Sequence, residues 1–308
     1  MNVGFIGLGT MGGSMALNAI RGGHNLVVHD IRRESATPHL EMGAEWADTP
    51  RDVAQRSEVV LTSLPGPVEV EAVALGDDGL AEGLSEGKVY LDLSTSSPDL
   101  IRRIHAELAP RGIHVLDAPV SGGPEGARTG RLAIWVGGDR EVYERVKPAL
   151  DSIGDQPYYV GPVGAGSVAK LVHNCAGYII QAGLAEVFTM GVKAGVDPLD
   201  LWLAVRQGAQ GRRGAFERLA DHFLIDSYDP PDFALRLARK DVDLACQVGR
   251  QYDVPMKLAN LALAEMTEAI NRGWGDRDSR VAMVLQEERA GARVNTTPEA
   301  IREALDGL

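Results

Sequence analysis

The chain has 308 residues, 44% hydrophobic and 24% charged, an ordinary balance for a soluble globular protein with enough length for two domains. Its formal net charge of −12 argues against nucleic acid or an anionic membrane as partner, since both bind a basic face. The two cysteines, Cys175 and Cys246, sit in apolar helical patterns without CxxC spacing, so neither a metal site nor a disulfide framework is expected and a reducing cytoplasm fits.

Met1-Asn2 leads directly into a short apolar strand at residues 3–6, with no targeting segment expected. Gly7-Leu8-Gly9-Thr10-Met11-Gly12 follows, and helical periodicity then runs from Met11 to Ile20. Strand, GxGxxG and helix in that order form the context of the dinucleotide fingerprint. Gly7 permits the tight turn, Gly9 lets the backbone approach a pyrophosphate, and Gly12 lets helix and strand pack closely. The phosphates would meet the N–H groups that open the helix around Thr10 and Met11. An ordinary glycine turn would look the same locally. The second strand, residues 25–29, favours the cofactor, because it ends in Asp30, 18 residues beyond Gly12. A carboxylate for the adenosine ribose is expected about 20 residues on. Asp30 would repel a 2′-phosphate, whereas Arg32 and Arg33 could accommodate one. NAD is the expected cofactor, with NADP left open.

Strands at residues 58–63, 88–93 and 112–117 continue the βα alternation. The first two end in Ser63-Leu64-Pro65-Gly66 and Asp92-Leu93-Ser94-Thr95-Ser96. Ligands of an open α/β sheet sit at the carboxyl ends of its strands, so Leu64, Pro65 and Thr95 are expected beside the ribose and nicotinamide. Helix capping competes for the hydroxyls of Ser63, Thr95 and Ser96. After the third strand comes Asp117-Ala118-Pro119-Val120-Ser121-Gly122-Gly123-Pro124. The Ser121 hydroxyl and the N–H groups of Gly122 and Gly123 suit a carboxylate, although an irregular Gly/Pro loop reads equally well.

Strands at residues 131–136 and 156–160 flank a helix at 140–153 and complete a cofactor domain spanning 1–162. Only helices are expected beyond: 164–194, 198–207, 214–223, 233–252, 255–272 and 279–289. The first, about 45 Å long at ~1.5 Å per residue, should bridge the two halves. The fold class is therefore α/β: a Rossmann doubly wound sheet, then an all-α substrate and oligomerisation domain at 163–294 joined by the long helix, and a tail at 295–308. The apolar stretch 168–192 is broken by Lys170, His173, Asn174, Gln181 and Glu186, so it reads as a soluble helix and not a membrane span. Lys170 and Asn174 lie four apart and share a helix face, where they could move a proton and orient an oxygen. A solvated surface lysine is the bland alternative. His173 turns about 100° away and reads as packing. The apolar surface of this helix exceeds what one half covers, so a homodimer or homotetramer is expected.

These motifs resemble the β-hydroxyacid dehydrogenase family, which includes 3-hydroxyisobutyrate dehydrogenase, tartronate semialdehyde reductase and relatives of 6-phosphogluconate dehydrogenase. The family's cofactor motif is similar to residues 7–18, and its substrate motif to residues 117–123 with Gly130 and Gly137-Gly138 following. Its catalytic motif resembles Gly164-Ala165-Gly166 with Lys170 and Asn174, and a fourth motif is similar to Lys240-Asp241. The resemblance implies hydride transfer between a nicotinamide cofactor and a small anionic β-hydroxy acid or its semialdehyde. It implies Lys170 as general acid/base and Asn174 as orienter of the substrate oxygen. Ser121, Gly122 and Gly123 would hold the carboxylate, and Lys240 would close over the cofactor. An imine reductase would share the architecture but often lacks the lysine, and a non-catalytic dinucleotide-binding module would show a replaced lysine. One segment departs from the pattern: residues 207–214 carry Arg212 and Arg213 where a small-polar loop is usual, which suggests a substrate with a second anionic group, although two solvated loop charges read equally well.

Overall fold

Strands apolar on both faces build the first half of the protein, as a sheet covered by helices on both sides requires. In the computed structural model they are β1 (Asn2–Ile6), β2 (Asn25–His29), β3 (Glu45–Trp46), β4 (Val59–Thr62), β5 (Val89–Asp92) and β6 (His114–Asp117). All six pair in parallel in the order β3-β2-β1-β4-β5-β6. Alternate residues serve opposite faces: Phe5, Val28, Leu61 and Leu91 enter one core, while Ile6, Val27, Val60 and Tyr90 enter the other. The strand order reverses between β1 and β4, and it is at the carboxyl ends beside such a reversal that open α/β sheets bind ligands. The sheet continues with β7 (Val120–Ser121), β8 (Ala133–Gly137) and β9 (Gln156–Gly161). Here the direction changes: β8 runs antiparallel to both β6 and β7, while β9 is parallel to β8. The two-residue strands β3 and β7 are too short to leave a periodic signal.

The structure describes every residue except 194, 208–216, 252–255 and 307–308. The chain divides into two compact units, Met1–Leu171 and Val172–Leu308. The long helix Ala165–Lys193 runs through the division. The second unit contains the helices Pro198–Gln207, Leu235–Gln251, Lys257–Ala269, Val284–Ala290 and Pro298–Asp306. Its core gathers Leu184, Phe188, Trp202, Phe223, Leu224, Met283 and Val294. The architecture is thus the Rossmann sheet followed by helices that the sequence implied.

Several expected helices are shorter. Of residues 214–223, the described part holds only the 3₁₀ turn Glu217–Leu219. Downstream, the His222 ring engages the Ser227 carbonyl at 2.6 Å and closes a local loop in place of another helical turn. The next helix starts at Leu235, past Pro230-Pro231, whose missing N–H groups do not sustain a helix interior. The expected helix 279–289 opens as a 3₁₀ turn, Ser279–Met283, capped by Asp278. His173, expected as packing, is exposed in the single chain. Arg212 and Arg213 lie outside the described residues. No helix among the described residues is long and apolar enough to cross a membrane.

Candidate active site

At the end of β1, the three glycines of the first motif differ in what they permit. Gly7 has φ +91°, a left-handed conformation, and a Cβ on Gly12 would overlap the Gly7 carbonyl. A Cβ on Gly9 would meet nothing within 4 Å, so the backbone there faces open space. Gly9 is also the N-cap of the helix Thr10–Arg21, which has no side-chain cap and no acidic residue in its first turn. Thr10 is exposed and Met11 half-buried. Uncapped N–H donors beside an open glycine fit a pyrophosphate.

Asp30 is held firmly at the end of β2. One carboxylate oxygen accepts the Leu8 N–H at 2.7 Å and the other accepts the Arg32 N–H at 2.8 Å. Each oxygen keeps a further lone pair for a ribose hydroxyl. The two arginines that complicated the cofactor expectation part company. Arg32 Nε lies 4.0 Å from Asp30, while the Arg33 guanidinium stacks over Trp46 at 5.0 Å and reaches Asp48 at 3.5 Å.

The loops after β4 and β5 are fastened to each other. The Leu64 N–H donates to Ser94 Oγ at 2.9 Å, and Asp92 accepts from Thr62 Oγ1 at 2.8 Å and from the Ser94 N–H at 3.1 Å. Burial pushes the Asp92 carboxyl up to about 6, against the opposing hydrogen bonds of Ser94 and Thr62. This staple sets the spacing of Leu64, exposed Pro65 and half-buried Thr95. Those three were expected from the sequence, whereas Asp92 and Ser94 were not, because their only signal there is their place at a strand end.

Ser121 lies on β7, paired with Ala133 of β8. Gly122 and Gly123 have φ +140° and +64°, so the chain turns there in a conformation that favours glycine. Four residues before Ser121, the buried Asp117 accepts the backbone N–H groups of Gly164 and Ser167, both at 2.6 Å. Lys170 follows within the long helix and is only 9% exposed, which removes the solvated-lysine reading. Asn174 stands four residues further along the same helix.

In the second unit, the Asn174 side-chain amide donates to Asp241, and Lys240 Nζ lies 2.9 Å from the same carboxylate. Asp241 is 1% exposed and was missed as a site residue, although it adjoins Lys240. His222, Asp232 and Asp278 also converge there with ligand-like atoms. The Arg280 guanidinium already takes these carboxylates, at 2.7 Å from Asp278 and 3.0 Å from Asp232, so the cluster is an ion-pair network.

Residues 2–161 match the family described as the NAD binding domain of 6-phosphogluconate dehydrogenase, and residues 164–285 match that described as NAD-binding of NADP-dependent 3-hydroxyisobutyrate dehydrogenase. The chain belongs to the β-hydroxyacid dehydrogenase family. It is 32% identical over 295 residues to 2-(hydroxymethyl)glutarate dehydrogenase of Eubacterium barkeri, covering 96% of this chain and 98% of that protein. It is 34% identical to 3-hydroxyisobutyrate dehydrogenase of Pseudomonas aeruginosa, over 85% of this chain and 89% of the other. Among solved structures, 3-hydroxyisobutyrate dehydrogenase of Mycobacterium tuberculosis with L-serine superimposes with a TM-score of 0.83 at 27% identity, covering 92% of this chain and 98% of that one. As a member of this family the chain is a nicotinamide-dependent oxidoreductase of small hydroxy acids.

Proposed function

We propose that the protein transfers hydride between NAD and a small β-hydroxy acid, or the corresponding semialdehyde or keto acid, with Lys170 as general acid/base. The observation that carries this reading is a buried lysine on the long helix, one turn from Asn174, in a chain that also presents the open Gly9 helix terminus and the Ser121–Gly123 turn. When bound, the nicotinamide supplies the hydride acceptor or donor. The chain's own residues do the rest. Ser121 Oγ and the N–H groups of Gly122 and Gly123 hold the substrate carboxylate, and Asn174 orients the hydroxyl. Lys170 takes that proton during oxidation and returns it during reduction. Lys170 acts as base in its neutral form and as acid in its ammonium form. Gly7, Gly9, Thr10, Met11 and Gly12 cradle the pyrophosphate, with Asp30 on the ribose. Leu64, Pro65 and Thr95 line the nicotinamide half, and Lys240 closes over the cofactor.

The division of labour follows the chain: residues 1–162 bind the cofactor, 163–294 contribute substrate contacts and oligomerisation, and 295–308 form a tail. The matched segments 2–161 and 164–285 support that boundary. A homodimer or homotetramer is part of the proposal. It is supported by Val172 and Ile180 on the long helix and Leu258 and Leu261 on Lys257–Ala269, which expose 64%, 48%, 62% and 46% of their surface. Sedimentation at micromolar concentration would contradict it with a species near 33 kDa. A cytoplasmic setting is supported by the buried free thiols Cys175 and Cys246. A spectrophotometric panel of 3-hydroxyisobutyrate, glycerate, serine and dicarboxylic β-hydroxy acids, run with NAD and NADP, tests the function. Turnover of none of them with either cofactor would contradict it.

A further inference from the structure

Asp117 ends β6 and is 1% exposed. Its two oxygens accept the N–H groups of Gly164 and Ser167, which precede and open the long helix. The first amides of a helix have no partner within it. A carboxylate from a distant strand end thus takes the part of a local N-cap and faces the positive end of the helix dipole. The surroundings are cut to admit it. Gly137, the register partner of Asp117 on β8, could not carry a Cβ, which would lie 2.5 Å from Asp117 Oδ1 and 2.9 Å from the Ala165 nitrogen. A Cβ on Gly166 would overlap the Trp135 carbonyl and stand 3.0 Å from Asp117 Oδ2. Gly164 adopts φ +89°. Three glycines from two separate motifs are therefore required for one contact, and all of it lies within the first unit.

Two features of the proposed chemistry diverge from this joint. The backbone that carries Asp117 reaches Ser121 four residues later, and the helix seated on its carboxylate presents Lys170 three residues after Ser167. We propose that Asp117 is a positioning residue, which holds the start of the long helix on the end of β6 and so fixes Lys170 relative to the Ser121–Gly123 turn. The inference rests on the roles proposed for Lys170 and for that turn. Loss of the clamp would leave substrate and cofactor able to bind while the base stands away from the hydroxyl proton, and displacements of about 1 Å are enough to cost on the order of 10²-fold.

The test is Asp117→Asn, nearly isosteric and able to accept only one of the two N–H groups, with Asp117→Ser as second variant should the first not be recovered soluble. The measurements are Tm, the Kd for NADH, kcat, KM and the pH dependence of kcat. The expected result is a kcat at least tenfold lower with the NADH Kd within threefold of the parent. The limb attributed to Lys170 should move to lower pH, because removing a negative charge near the helix start disfavours the ammonium. Either of two results overturns the proposal: kcat within twofold of the parent with an unmoved limb, or failure of both variants to bind NADH, which would make Asp117 a folding residue. Lys170→Ala, run alongside, separates the two levels. An active Lys170→Ala overturns the site reading together with this inference, whereas an inactive one beside a fully active Asp117→Asn overturns the positioning role alone.

Discussion

The side-chain amide of Asn174 donates to Asp241, a carboxylate that is 1% exposed and also pairs with Lys240 at 2.9 Å. This bond fixes which way the Asn174 amide faces, with Nδ2 toward Asp241, and under the proposed function Oδ1 is the atom that would accept from the substrate hydroxyl. Asp241→Asn would let the amide turn and would release Lys240. A charged hydrogen bond contributes roughly 1.5–3 kcal/mol, so kcat/KM should fall about tenfold or more. Unchanged kinetics in a folded variant would show that Asn174 is oriented by something else.

Cofactor choice should follow Asp30. Its carboxylate is pinned by the Leu8 and Arg32 N–H groups, and Arg33 is drawn away to Trp46 and Asp48. A higher kcat/KM with NAD than with NADP is expected, and Asp30→Ala should narrow the gap by an order of magnitude or so, in line with removing one charge from beside a phosphate. A parent enzyme that prefers NADP would shift the decisive role to Arg32.

Most of the Rossmann half could be read in the sequence, because its signals are local. GxGxxG follows a strand, and Asp30 ends the next one. The helical half was less legible. His222 closes a loop onto Ser227 where periodicity suggested a helix, and in the Rossmann half the antiparallel β7–β8 pair rests on a two-residue strand. The site residues missed, Asp92, Asp117 and Asp241, share one property. Each is a buried carboxylate with at least one partner far away in sequence, at 30, 47 to 50, and 67 residues respectively, a separation that no motif spacing conveys.

Stability should depend on pH through Asp92. The buried carboxyl sits at about 6 in the folded protein against its ordinary 3.8. A raised value means the fold binds the proton more tightly, so the contribution is fully present below pH ~4 and is lost as pH rises through about 6. The step corresponds to roughly 3 kcal/mol. Asp92→Asn should therefore gain in Tm on the parent between pH 4.5 and 7.5. An equal Tm difference at both values would mean that Asp92 ionises without penalty.

Arg212 and Arg213, outside the described residues, are the residues the sequence offers for a second anionic group on the substrate. If one of them pairs with a second anionic group, its replacement by alanine should raise KM for dicarboxylic substrates by about tenfold, the worth of one charged hydrogen bond. Monocarboxylic substrates should be little affected. Equal effects on both classes would remove the arginines from substrate selection.

Lys170→Ala, assayed for kcat with the best substrate of the panel and for NADH affinity, is the most direct measurement. Removal of a general acid/base typically costs 10²- to 10⁴-fold, so kcat should fall at least about 100-fold while the NADH Kd stays within a few-fold of the parent. A variant that keeps more than about a tenth of the parental kcat would contradict the assignment of proton transfer to Lys170.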